Sequence, residues 1–217
     1  MMNIRHLTII PFLIAALVTG AWATTGQGPA EVIQEVSTLM LDAIDGRRDE
    51  LRGNSDELQS IVDEILLPRF DLRYSGGLVM GKYWRKANDE QRDRFIKALY
   101  QSLVRTYSNS ILDYRGDEME VLPVEDDLSE GKAIVQTRVT LETGVVTPVN
   151  YRMRLGKDGS WKAYDVIIEG ISYVTNYRKQ YSSEFRAKGI DAVIEELESK
   201  GAPAPEATTA AADEAGG

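Results

Sequence analysis

AIVQTRVTLETGVVTPVNYRMRLGKDGSWKAYDVIIE, residues 133–169, is the stretch whose reading decides the fold. Ala133, Val135, Thr137, Val139 and Leu141 alternate with Ile134, Gln136, Arg138, Thr140 and Glu142, the two-residue period of a strand. After a turn at Gly144, Val149, Tyr151, Met153 and Leu155 alternate with Asn150, Arg152 and Arg154. Asp158-Gly159 is a strong hairpin signal and leads into a further strand, Trp161 to Glu169. Met119 and Val121 start a short strand upstream. These segments make an antiparallel meander with one apolar and one polar face.

Outward from the meander the period is helical. Upstream, Pro29 opens a helix with Val32, Ile33, Val36, Leu39, Met40 and Ile44 on one side, ended by Gly46. A second helix is predicted over Ser55 to Leu67, with Leu58, Ile61, Val62, Ile65 and Leu66 inward and Pro68 as its stop. Phe70 to Trp84, with Gly76, Gly77 and Gly81, reads as a short apolar helix with loose ends. Asn88 with Gln91 is a capping box for a long helix reaching about Tyr114. Downstream, one helix runs from Ser172 to Gly189 and a last one carries Ile190, Val193, Ile194 and Leu197. Helices, then a meander, then helices define an α+β class, with helices over one face of a curved sheet. Such an arrangement closes as a solid core or stands open as a cone, and periodicity does not separate the two.

Both ends of the chain read as lying outside the domain. Arg5 and His6 precede an apolar run from Leu7 to Val18, too short to span a bilayer, and Ala21-Trp22-Ala23 is a small-x-small cleavage site. Residues 1–23 are therefore expected to be an export signal cleaved after Ala23, sending the remainder to a bacterial periplasm. Residues 24–200 form one domain, of a size able to hold itself by burial. Residues 201–217, small, acidic and containing proline, are expected to be disordered.

Cleavage bounds the chemistry. The single histidine, His6, leaves with the signal, and the chain has no cysteine. A Ser-His-Asp or Cys-His device, a His or Cys zinc site and a disulfide are excluded from the mature chain. The formal charge of −9 spreads along the sequence and speaks against nucleic acid as a partner. Gly76, Gly77 and Gly81 lack phosphate-loop spacing, so a backbone bend is the better account of them. Tyr173, Tyr177, Tyr181 and Phe185 form an i, i+4 stripe that suits either core packing or a pocket mouth. Asp165 and Glu169, at the end of the last strand, are acids near apolar neighbours. Asp165 is the candidate general base of an enzyme reading, with an ion pair to Arg152, Arg154 or Lys162 as the alternative. From residues alone the chain is an exported α+β domain without catalytic machinery.

Three ordered segments add a resemblance. They are Tyr74-Ser75-Gly76-Gly77-Leu78-Val79-Met80-Gly81-Lys82-Tyr83-Trp84; Gln91 to Phe95 continuing through Leu103-Val104-Arg105-Thr106-Tyr107 to Tyr114-Arg115-Gly116; and Trp161 to Val166, Glu169 to Ser172 and Tyr177 to Tyr181. Together they resemble the MlaC family, the periplasmic phospholipid-binding component of the Mla lipid transport system, over roughly residues 30–200. The resemblance implies an NTF2-like curved antiparallel sheet, packed by several helices and enclosing an apolar pocket for acyl tails. It implies no cofactor and no catalysis, with phospholipid as cargo carried by a monomer. The implied partners are an inner-membrane ABC transporter complex with its MCE-type lipid-binding subunit and an outer-membrane lipoprotein–porin complex, the task being outer-membrane lipid asymmetry. Its pocket candidates are Leu78, Val79, Tyr83, Trp84, Phe95, Leu99, Leu103, Tyr107, Val139, Tyr151, Met153, Val166, Ile168, Ile171 and Tyr177. The competing readings are a small NTF2-like isomerase or hydratase using Asp165, and a periplasmic interaction module that binds no lipid.

Overall fold

The computed structural model describes residues 26–113, 119–140 and 144–201. The expected signal, residues 1–23, all of the expected tail after Gly201, and Leu141 lie outside the described residues.

Helix α1, Pro29–Ile44, begins with proline in its first turn, where a missing N–H is no loss. Val32, Ile33, Met40 and Ile44 are buried, but Leu39, expected inward, is 36% exposed. At 3.6 residues per turn it lies roughly 90° from the centre of the buried stripe, on its edge. Helix α2, Arg48–Arg52, was not expected: five residues with Leu51 as the one buried side chain are too few to display a period. Helix α3, Ser55–Leu66, is capped by Asn54, whose side chain accepts from the Glu57 N–H at 3.2 Å. It stops one residue earlier than expected, and a 3-10 turn over Leu67–Arg69 takes Pro68 instead.

Helix α4, Leu72–Met80, is capped by Asp71 and followed by a 3-10 turn over Gly81–Tyr83. Gly76 lies against α5, Asp89–Asp113: a β-carbon there would stand 2.5 Å from Ile96 Cγ1. Gly76→Ala is therefore expected to cost about 1–3 kcal/mol through overpacking, read as a lower urea midpoint at unchanged slope. The capping box on α5 forms as expected, Asn88 accepting from the Gln91 N–H at 2.8 Å and Gln91 accepting from the Asn88 N–H at 3.0 Å.

Strands β1 (Met119–Val121), β2 (Lys132–Thr140), β3 (Val146–Leu155), β4 (Trp161–Ile168) and β5 (Ile171–Ser172) form one antiparallel sheet in chain order. Strand β3 begins three residues before the expected Val149 and contains Pro148. The proline has no N–H to give, but its carbonyl accepts from Glu169 at 3.1 Å. A bulge between Arg152 and Met153 lets Tyr164 sit unpaired, which reverses the facing of every later β4 residue. Helix α6, Tyr173–Lys188, starts directly from β5 with Ser172 as its cap, and α7, Ile190–Lys200, follows Gly189.

Three packed clusters share the interior. One joins α4, α5, α6 and α7 through Phe95, Tyr181 and Phe185, with Phe95 perpendicular to Tyr181 at 5.3 Å. A second joins α1, α2, α3 and α5. The third lies between α1 and the sheet, with Val32 and Ile33 over Val135, Met153 and Trp161.

Candidate functional site

Residues paired across an antiparallel ladder point to the same face. Register therefore assigns Met119 and Val121, then Ala133, Val135, Thr137 and Val139, to one face with Thr147, Val149, Tyr151 and Met153. Past the bulge, Val166 opposes Tyr151, Ile168 opposes Val149, and Ile171 opposes Ile168. The whole inner face is apolar apart from two threonines, and Thr137 satisfies its hydroxyl by donating to the Val149 carbonyl at 2.6 Å.

Coverage of that face is uneven. At one end Ala133, Val135, Met153, Trp161 and Ala163 are buried under α1. Toward the other, Val139, Val149, Val166, Ile168 and Ile171 are half-buried around the buried Thr137 and Thr147, and Tyr151, also half-buried, packs against the α1 cluster. That end runs through Ile171 and Ser172 straight into α6, where Tyr173 meets Tyr107 of α5 with ring centroids 5.6 Å apart. The site is a half-open apolar sheet end with tyrosines on its margin.

The tyrosines are linked. The Tyr107 hydroxyl is hydrogen-bonded with those of Tyr173 and Tyr177, and burial, then these neighbours, hold it well above the ordinary tyrosine range. Burial pushes the Tyr177 phenol up to about 12, a hydrogen bond from Tyr107 offsetting part of the rise. Burial likewise raises Tyr181. The folded state thus prefers the neutral phenols, so stability is intact below the free-tyrosine value near ~10 and is lost as pH climbs through the raised values. Melting temperature is expected to fall between pH ~10 and ~12, and Tyr177→Phe should flatten part of that fall.

The sequence candidates separate into groups. Val139, Val166, Ile168 and Ile171 gather on the half-open sheet end, while Tyr151 packs against the cluster beneath α1, Leu103 of α5 against the helical cluster, and Tyr107 of α5 against Tyr173. Val79, Tyr83, Phe95, Leu99 and Tyr177 join the helical cluster, and Met153 the cluster beneath α1. Leu78 and Trp84 line a separate external depression of about 510 Å³ with Asp71, Arg73, Tyr74, Arg85 and Arg154. Val149 and Tyr173 also belong to the half-open end and were not among the candidates. The alternation placed Val149 inward and the aromatic stripe contained Tyr173, but neither pattern says which end of a face is left uncovered.

Asp165 pairs in register with Arg152, on the face opposite the apolar one, and is 1% exposed. It accepts from the Ser172 hydroxyl at 2.6 Å, the Val174 N–H at 3.0 Å and Arg152 at 3.1 Å. Its oxygens are committed to fastening the start of α6 to β4, the ion-pair alternative that the sequence left open. Among the described residues, no group of His, Cys, Asp and Glu is arranged to hold a metal ion, and no helix is long and apolar enough to cross a membrane.

Fold and site define a small α+β domain whose helices cover one face of an antiparallel meander and leave one apolar end half-open. The chain belongs to the MlaC family, whose profile, described as MlaC protein, matches residues 34–199. It is 24% identical over 197 residues to the Haemophilus influenzae intermembrane phospholipid transport system binding protein MlaC, covering 89% of this chain and 92% of that one. It is 31% identical over 167 residues to the toluene tolerance protein ttg2D of Pseudomonas putida, covering 76% of each. The same fold occurs in a phospholipid-binding protein from Ralstonia solanacearum solved in complex with a phospholipid. That likeness has a TM-score of 0.72 at 23% identity, over 79% of this chain and 95% of that one.

Proposed function

We propose that this protein is a periplasmic phospholipid carrier. The observation that carries the reading is the continuous apolar sheet face covered at one end and half-buried at the other. Family membership supports it, as do the relatives named for intermembrane phospholipid transport and the Ralstonia protein described with a phospholipid.

Acyl chains enter at the half-open end, where Val139, Tyr151, Val166, Ile168 and Ile171 form the sheet wall and Leu103 and Tyr107 the helical one. Because the interior is split into three clusters, helices can part along the seams between them without dismantling any one cluster. Val79, Tyr83, Phe95, Leu99, Met153 and Tyr177 back the walls, and Leu78 and Trp84 stay outside. Each methylene removed from water is worth about 0.8 kcal/mol, so a sixteen-carbon chain exposed to water costs on the order of 12 kcal/mol. A sleeve that removes most of that penalty is sufficient for transport, since no covalent bond changes.

Release follows from partner contact that favours a state with lower affinity for the chain. In this reading residues 1–23 are the export signal and residues 24–200 the lipid-binding domain, acting as a monomer. Lipid passes between an outer-membrane lipoprotein–porin complex and an inner-membrane ABC transporter with its MCE-type subunit, keeping the outer membrane asymmetric. The test is transfer of a fluorescent phospholipid from donor to acceptor vesicles. A rate that rises with protein concentration is expected; a rate equal to the protein-free one overturns the proposal.

A further inference from the structure

The chain carries 34 acidic against 25 basic residues, yet residues 72–88 contain Arg73, Lys82, Arg85 and Lys86 and no acid. This stretch forms α4 and the turn after it, and α6 packs along both. From α6, Arg178 reaches the turn: its Nε is 3.2 Å from where a β-carbon on Gly81 would stand. Gly81 has φ 55°, so the close approach of the guanidinium and the bend both favour glycine at this position.

Lys82, Arg85, Lys86 and Arg178 are all exposed, and among the described residues no carboxylate pairs with any of them. Neighbouring arginines differ: Arg73 pairs with Asp93, Arg92 with Asp89 and Arg154 with Asp71. Lys82 and Lys86 instead lie over the Tyr83 ring, at 5.2 and 5.4 Å from its centroid, which steadies both without neutralising them. A cluster of unpaired cations on an acidic molecule creates a local field of the opposite sign to the whole, and so selects an acidic partner.

Shape selects among acidic partners. Of the four cations, Arg85 lines the depression of about 510 Å³ that also holds Asp71, Gly77, Leu78 and Trp84, and Arg178 approaches its edge at Gly81. Trp84 does not project from it: the ring lies 3.6 Å from the β-position of Gly77, with Arg73 at 5.4 Å and Arg92 at 5.0 Å from its centroid. A flat lipid surface is gripped by protruding aromatics, whereas a recessed one receives a protruding side chain.

We infer that the Gly81 turn and the adjoining flank of α6 are a docking surface for an acidic protein segment. Its carboxylates meet Lys82, Arg85, Lys86 and Arg178, and an apolar side chain enters the Leu78–Trp84 depression. This docking is independent of lipid carriage, because none of these residues lies on the sheet end assigned to acyl chains.

The test uses the isotope-labelled protein and a synthetic peptide of about a dozen residues rich in Glu with interspersed Leu. A control peptide replaces Glu by Gln, and phosphatidylglycerol vesicles form a separate arm. The acidic peptide is expected to shift the amide resonances of residues 73–86 and 178, and to bind more weakly at high salt. Arg85→Glu combined with Arg178→Glu should weaken binding roughly tenfold or more while leaving the remaining amide spectrum and retained phospholipid unchanged. Both changes are on exposed side chains, so folding is preserved, and the spectrum verifies it. No shift at the patch, equal binding of the Gln peptide, or binding of the vesicles there in place of the peptide would overturn the inference.

Discussion

Val139→Arg is expected to yield a folded protein that leaves native purification with at least roughly tenfold less phospholipid than the parent. Val139 opposes Met119 and Thr147 on the inner face and is half-buried. An arginine there can extend its guanidinium toward water, so the folding cost is small. The acyl chain has no such freedom: it must either lie against a charge or leave a hydrated group inside the sleeve. The contrast is Val135, four residues back along the strand on the same face and 0% exposed. An arginine at Val135 has no route to water, costs several kcal/mol and is expected to prevent folding. Lipid phosphate per mole of protein after solvent extraction reads the first variant, and circular dichroism separates it from the second. Parent-level loading in a folded Val139→Arg protein would move the acyl chains away from this end of the sheet.

Asp165→Ala is expected to destabilise the fold by about 2–4 kcal/mol, on the order of ten degrees in melting temperature for a domain of this size. The carboxylate accepts three hydrogen bonds, and its removal orphans the Ser172 hydroxyl and the Val174 N–H at the first turn of α6. Arg152 contributes less, since its side chain is 40% exposed and water replaces the lost partner. Asp165→Asn keeps one acceptor oxygen and should restore part of the loss. Thermal melts of the two variants check the order. Retained lipid loading and transfer by folded Asp165→Asn would remove a base role for this residue; their loss at parent stability would restore one.

Local patterns made most of the architecture legible. The capping box at Asn88 and Gln91, the Asp158-Gly159 hairpin and the helix start at Ser172 each rest on a few residues, so a reader of the chain can find them. The alternation through residues 133–139 placed Val135 inside and Ile134 outside, as the exposures of 0% and 41% show. Helix α2 was missed because five residues do not express a period. The early start of β3 was missed because Pro148 lacks the N–H that a strand interior donates, and it is tolerated here where the β4 ladder has ended at Ile168, a fact remote in sequence. Leu155 was expected inward by alternation but is 40% exposed at the last position of β3, although Trp161, paired with it, is 7% exposed beneath α1.

The site was less legible than the fold, for a physical reason. Alternation identifies an apolar face but carries no information about which part of it another element covers. Val139 and Met153 look alike in the pattern, yet one is half-buried and the other is sealed beneath α1. Asp165 illustrates a second limit: the bulge at Tyr164 turns it to the face opposite its apolar neighbours, and bulges leave little trace in composition.

Native mass spectrometry of the freshly isolated protein addresses the lipid-carrier account most directly. A mass above that of the polypeptide by one or two phospholipids, lost on activation and absent in Val139→Arg, is the predicted spectrum. A bare polypeptide mass, from a sample never exposed to detergent or organic solvent, would contradict it.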